Sequence, residues 1–144
     1  MPSLVTQPGF ADAATALAHF ERRLGVETDC SDVHESLKGE VSLKGEVDFV
    51  LVDVRGANAF ATGHVPGAVN IPHRTMTAER MAQYPVSTRF VVYCAGPHCN
   101  GANKGAIRLA RLGFPVKEMI GGITGWLDEG FALERSVAAE TQAA

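Results

Sequence analysis

The chain has 144 residues, 46% of them hydrophobic and 20% charged, with a net charge of −3 and a pI near 5.9. That is the size and composition of one soluble globular domain, and it excludes a general nucleic-acid binder, which carries a basic stripe or tail. No apolar run reaches the roughly 18 residues needed to span a bilayer, and Met1-Pro2-Ser3 opens neither a basic nor an apolar leader.

Cys30, Cys94 and Cys99 are the three cysteines, and an odd number leaves at least one thiol outside any internal bridge. With no export signal, the expected compartment is the cytoplasm. There a disulfide scaffold is not expected, and a cysteine pair serves catalysis, redox chemistry or metal binding.

Residues 1–8 read as a loose lead-in. Phe10, Ala13, Ala14, Leu17, Phe20 and Leu24 recur at intervals of three and four, which predicts a helix over 10–24 closed by Gly25. Residues 26–29 read as a short strand, and Ser31 as the cap of a helix reaching Leu37. The hexapeptide at 36–41 is repeated at 42–47. It reads as a tandem duplication in a surface connection, where added length costs little, and not as a solenoid.

Four apolar runs predict strands at 49–54, 68–71, 90–94 and 116–120. The first and third are continuous and valine-rich, as in a parallel sheet covered on both faces. Between them the sequence predicts helices at 57–62, at 77–81 capped by Thr77, and at 103–112 stopped by Gly113. In the 103–112 helix, Ala106, Leu109 and Ala110 form one face and Lys104, Arg108 and Arg111 the other. A last short helix packs Trp126 on the sheet. The alternation predicts an α/β fold with right-handed crossovers, a mostly parallel five-stranded sheet and an extra N-terminal helix. The expected organisation is a helical extension over 1–25, the α/β domain over 26–133 and a flexible tail over 134–144.

The chemistry concentrates after the third long run. Phe90-Val91-Val92-Tyr93-Cys94 is a buried-strand pattern ending in cysteine, followed by Ala95-Gly96-Pro97-His98-Cys99-Asn100-Gly101 and a helix. In open α/β sheets ligands bind beyond the carboxyl ends of the strands. A helix opening there aims its free N–H groups and positive dipole end into the loop. A Cys94 thiolate is therefore expected to be favoured, below the free thiol pKa of about 8.5. Gly96 and Gly101 allow successive N–H groups to turn inward around the sulfur. On the bland alternative, Cys94 is only a small apolar residue at a strand end.

The chain resembles the rhodanese homology domain over about residues 32–131. Four segments carry the resemblance: Val52-Asp53-Val54-Arg55 after an apolar strand, Gly63-His64-Val65-Pro66-Gly67-Ala68, Val91-Val92-Tyr93-Cys94, and Gly121-Gly122-Ile123-Thr124-Gly125-Trp126. The resemblance implies a rhodanese-like fold. It also implies a sulfurtransferase of the thiosulfate sulfurtransferase type, moving sulfane sulfur from a small sulfur-containing anion to a thiol or cyanide through a persulfide on Cys94. No cofactor, metal, nucleic acid or membrane is implied; a homodimer is a candidate assembly.

The loop after Cys94 is longer than the common single-domain pattern. It falls short of the related phosphatase pattern too, because Asn100 stands where the phosphate-gripping arginine belongs. In the sulfur-transfer reading, Cys94 attacks sulfane sulfur, and the amides of Ala95, Gly96, Pro97-His98, Cys99 and Asn100 stabilise the anion. Proline itself has no N–H to give. His98 and Asn100 point outward toward substrate. Cys99 is a candidate resolving thiol. Asp53 is expected to accept loop N–H bonds and Arg55 to tie neighbouring segments. Arg74 and Lys104 add positive potential, while His64 reads as a packed turn residue. Two other classes compete: a non-catalytic sensing or binding module, and a cysteine-pair redox, arsenate or phosphate-ester enzyme.

Overall fold

The computed structural model describes residues 1–38 and 47–136. Its centre is a five-stranded, all-parallel sheet in the order β1-β5-β4-β2-β3. The strands are Glu27–Thr28 (β1), Val50–Asp53 (β2), Val69–Asn70 (β3), Phe90–Tyr93 (β4) and Val116–Met119 (β5). Six α-helices flank it among the described residues: Ala13–Val26 (α1), Cys30–Leu37 (α2), Ala57–Thr62 (α3), Ala78–Met81 (α4), Gly101–Arg111 (α5) and Gly122–Asp128 (α6). None of these is long and apolar enough to cross a membrane.

The central strands are apolar throughout because both their faces are covered. Every residue of β4 is buried. Alternation along β4 sends Phe90, Val92 and Cys94 to one face, where they join Val52, Val54, Met76 and Leu109 beneath α5. Val91 and Tyr93 go to the other, with Leu51, Val65, Met119 and Trp126 beneath α2 and α6. Trp126 packs α6 as expected, and its indole N–H donates to the Ala132 carbonyl at 2.9 Å. Each large aliphatic side chain buried this way contributes roughly 1.5–3 kcal/mol. The pairs Val52–Val92 and Asp53–Tyr93 put the carboxyl ends of β2 and β4 level, so this edge presents Cys94.

Several boundaries differ from the sequence expectation. α1 begins at Ala13 and not near Phe10, because the Asp12 carboxylate accepts from the Thr15 N–H at 2.7 Å and caps the helix there. It runs through Gly25, since the chain turns directly into β1 after Val26. α2 is capped by Asp29, which accepts from Asp32 N–H at 2.8 Å, and not by Ser31. α5 opens two residues early, at Gly101, and buries Ala102, Gly105 and Leu109, leaving Ala110 exposed. The side-chain-free Gly105 lets α5 approach the sheet; a Cβ there would lie 3.0 Å from Val54. The tail is tied down further than Leu133: Glu134 exchanges two backbone hydrogen bonds with His64, and Ser136 N–H donates to Ala61. Residues 137–144 and most of the duplicated hexapeptide lie outside the described residues.

Candidate functional site

Cys94 follows β4 directly and is 6% exposed. Its sulfur is joined to that of Cys99 in a disulfide, with the two Cα atoms 6.4 Å apart, inside the normal span for such a bond. The loop between them is folded into a turn in which Cys99 N–H donates to the Gly96 carbonyl at 3.0 Å. The first residue of α5 then abuts the sulfur pair. A Cβ at Gly101 would lie 2.9 Å from Cys94 Sγ and 3.4 Å from Cys99 Sγ. Position 101 is therefore glycine because sulfur occupies the space a side chain would need.

The N-terminus of α5 is electrostatically open. Asn100 does not cap it with its side chain, and its first turn holds no acidic residue. Such an end favours an anion. The ring of amides expected around the sulfur is not formed in the disulfide state: among the described residues, no N–H of the 95–100 loop bonds to Cys94 Sγ. A disulfide sulfur is neutral, so it offers N–H groups no charge to gather around.

The other wall comes from α6. Ile123 N–H donates to the Cys94 carbonyl at 3.1 Å and Thr124 N–H to the Ala95 carbonyl at 3.0 Å; the Thr124 hydroxyl adds a second bond to Ala95 at 3.0 Å. This close approach requires Gly121 and Gly122, with φ of 92° and 56°. A Cβ at Gly122 would collide with the Cys94 carbonyl oxygen. The Gly-Gly segment is thus the clamp that holds the end of β4 against α6.

A pocket of about 220 Å³ opens on the sulfurs, lined by Cys94, Gly96, Cys99, Asn103, Glu118 and Ile120 among others. Wider clefts of about 370 and 660 Å³ both reach Phe49, toward the amino ends of the strands. Volume alone would select the larger of those. The rule that parallel sheets bind ligands at their carboxyl edge selects the pocket at the sulfurs.

Of the expected site residues, Cys94, Gly96, Pro97 and Cys99 line this pocket, with Ala95 supplying the carbonyl anchored by Thr124. Pro97, His98 and Asn100 are exposed, and of these only Pro97 also lines the pocket. Asp53 and Arg55 lie elsewhere. Asp53 shares a face with Leu51 and Tyr93, opposite Cys94. It is fully buried and accepts from Arg55 N–H at 2.9 Å and Nη2 at 2.7 Å. Arg55 Nη2 also donates to the Gly63 carbonyl at 2.6 Å. The pair ties the end of β2 to the end of α3. Burial and the Asp53 carboxylate push the neighbouring Tyr93 phenol up, so it stays neutral and accepts Val65 N–H at 3.1 Å. Arg74 and Lys104 are exposed, and both act electrostatically on His73. Burial, then the charges of Lys104, Arg74 and Arg108, hold that imidazole below its usual range. His64 is the packed residue expected, stacked on Phe60 at 3.8 Å with Nδ1 2.8 Å from the Phe60 carbonyl.

Sequence reasoning passed over Asn103, Glu118 and Ile120. Glu118 stands on β5 beside its register partner Glu27 on β1. Burial and then the Glu27 charge push its carboxyl up. Its signal was positional: it is the last polar residue before the carboxyl end of a predicted strand.

The rhodanese-like domain model matches residues 33–129. The HTH-type transcriptional regulator Rv0324 of Mycobacterium tuberculosis is 35% identical over 132 residues, covering 91% of this chain and 54% of that protein. The chain thus spans about half the length of the curated relative it matches. Among solved structures, the BH2092 protein from Bacillus halodurans is 36% identical with a TM-score of 0.79, over 89% of this chain and 90% of that one. The rhodanese-like domain of the Alr3790 protein from Anabaena sp. is 25% identical with a TM-score of 0.65, over 82% and 85%. A thiosulfate sulfurtransferase from Pseudomonas aeruginosa shares the fold at 22% identity and a TM-score of 0.63, over 80% of this chain and 21% of that one. With a cysteine closing the central strand of a parallel sheet and a Gly-Gly clamp beneath it, the chain belongs to the rhodanese-like domain family.

Proposed function

We propose that this domain is a sulfurtransferase that carries sulfane sulfur as a persulfide on Cys94. The observation that supports the reading is the seat of that sulfur: it lies against Gly101, at an uncapped helix N-terminus, at the floor of a pocket for small molecules. A thiol reductant first opens the Cys94–Cys99 pair. The Cys94 thiolate, favoured by the α5 dipole and free amides, then attacks the outer sulfur of a donor such as thiosulfate. A carbon-free S–S bond breaks, sulfite leaves with the electron pair, and Cys94 holds the transferred sulfur. A thiolate or cyanide takes that outer sulfur and returns Cys94 as thiolate. Glu118, whose carboxyl is pushed up by burial and then by the Glu27 charge, lines the same pocket. Thiocyanate formation from thiosulfate and cyanide by reduced protein tests the reading; it is expected to vanish in Cys94→Ala and to depend on both substrates. Absence of turnover with thiosulfate and with polysulfide in the wild type overturns it.

A second reading is favoured by two observations: the closed cysteine pair and the similarity to an HTH-type transcriptional regulator. In it the domain is a sensing module that reports sulfur species through the state of Cys94 without turnover. The two readings part on whether product exceeds one equivalent per chain.

A further inference from the structure

Resting on sulfur loading at Cys94, we infer a further activity of the same loop: Cys99 displaces the loaded sulfur, so the domain releases it as sulfide and closes on itself as the Cys94–Cys99 disulfide.

Three observations carry this. The two sulfurs reach each other without rearranging the sheet or α5, since the structure joins them across Cα atoms 6.4 Å apart. The room for both is built in, because Gly101 offers no side chain to the space where they meet. And Cys99 lines the same pocket as Cys94 while Cys94 itself is nearly buried. An external thiol must enter a pocket of about 220 Å³, whereas Cys99 is already there. A thiol held in place competes at a high effective concentration against one arriving from solution.

The step balances. The Cys99 thiolate attacks the inner sulfur, the one bonded to the Cys94 Cβ. The bond between the two persulfide sulfurs breaks and hydrosulfide leaves with its electron pair. The persulfide and the thiol become one disulfide and one hydrogen sulfide. The transferred sulfur is reduced by two electrons, and the two cysteine sulfurs are oxidised by the same two. Exchange of this kind runs through a thiolate and is fastest when the conjugate acid of the departing group is acidic, as hydrogen sulfide is. A dithiol reductant reopens the pair for another round. The activity is that of a sulfane-sulfur reductase, and the disulfide in the structure is its resting product.

A single-turnover experiment tests it. Fully reduced wild type and Cys99→Ser, freed of reductant, each receive one equivalent of thiosulfate, with inorganic polysulfide as a second loading arm. Sulfite, sulfide and the intact mass are read together. Both proteins are expected to release sulfite from thiosulfate. Wild type is expected to release one sulfide per chain and end two hydrogens lighter than the reduced chain. Cys99→Ser is expected to keep one extra sulfur and release sulfide at least roughly tenfold more slowly. If wild type also keeps the extra sulfur on Cys94, Cys99 does not resolve it, and the inference fails while the sulfurtransferase reading stands. Peptide mapping that finds the extra sulfur moved to Cys99 likewise overturns it, because the attack is then on the outer atom. If Cys99→Ser takes up no sulfur from either donor, the reading beneath the inference falls as well.

Discussion

Helices α1 and α5 look alike in sequence and differ in the structure. Each carries apolar residues at intervals of three and four with charges between them. α5 lays Ala102, Gly105 and Leu109 on the sheet and buries all three. α1 buries none of its residues: Leu17, Phe20 and Leu24 are 61%, 56% and 71% exposed. The cause is connectivity. α5 is the crossover between the parallel neighbours β4 and β5, and the handedness of such a crossover lays it on the sheet. α1 precedes the first strand, so no crossover places it. Hydrophobic period shows that a helix has an apolar face; only the chain path shows what covers it.

The comparison breaks or holds on stability. Leu109 is fully buried, and Leu109→Ala is expected to lower the unfolding free energy by about 2–5 kcal/mol. Leu17→Ala and Leu24→Ala are expected to stay within about 0.5 kcal/mol. Denaturant titration at dilute protein concentration measures all three. A large loss at Leu17 would mean that α1 is seated on the domain after all.

The entrance to α5 sharpens the same contrast, because there packing and chemistry share residues. Gly122→Ala forces a Cβ into the Cys94 carbonyl at a φ of 56°. It is expected to cost about 1–3 kcal/mol and to abolish sulfur loading, since the end of β4 must shift. Gly101→Ala is gentler for the fold, because position 101 is ordinary helix. Its Cβ meets the sulfurs themselves. A displacement of about an ångström at a reacting atom costs up to about a hundredfold, so thiocyanate formation is expected to fall at least tenfold, while the melting temperature falls less than in Gly122→Ala, where backbone and not a sulfur must yield. Equal losses of stability and rate in Gly101→Ala would count against a sulfur seat at the helix start.

Much of this was legible in the residues. The valine-rich runs, the Thr77 cap, Gly113 and the cysteine ending a strand each express a local rule, and the structure keeps them. What was not legible depends on distant partners. The cap of α2 moved from Ser31 to Asp29, and the start of α1 moved from Phe10 to Ala13 behind Asp12, because which side chain reaches a free N–H is settled by the chain's approach angle. Asp53 and Arg55 sit on the face away from the sulfur, a consequence of alternation from Val54 to Cys94 that needs the sheet register to be seen. Glu118 and Ile120 entered the pocket because β5 lies beside β4, which is a matter of strand order.

The sharpest contrast is between two cysteines, both at helix starts. Cys94 stands before α5, and Cys30 is the first residue of α2. A helix N-terminus alone would favour a thiolate at both. At Cys30 other groups win. The thiol is buried and faces the carbonyls of Ile120 at 3.5 Å and Gly122 at 3.7 Å, to which only a protonated sulfur can donate. Burial first, then the charges of Asp29 and Glu129, push it from 9.0 up to about 11. Between those values the folded chain keeps a proton that the unfolded chain has lost, so the stability this thiol contributes is whole below pH 9 and declines as pH rises toward 11. Alkylation of the reduced protein with iodoacetamide across pH 6–11 reads both sites by peptide mass. Cys94 is expected to react at neutral pH, and Cys30 only where strong alkali begins to open the fold. Equal rates at neutral pH would show that proximity to a helix start, and not the surrounding dipoles and burial, governs both sulfurs, and the case for a specially favoured anion at position 94 would be lost.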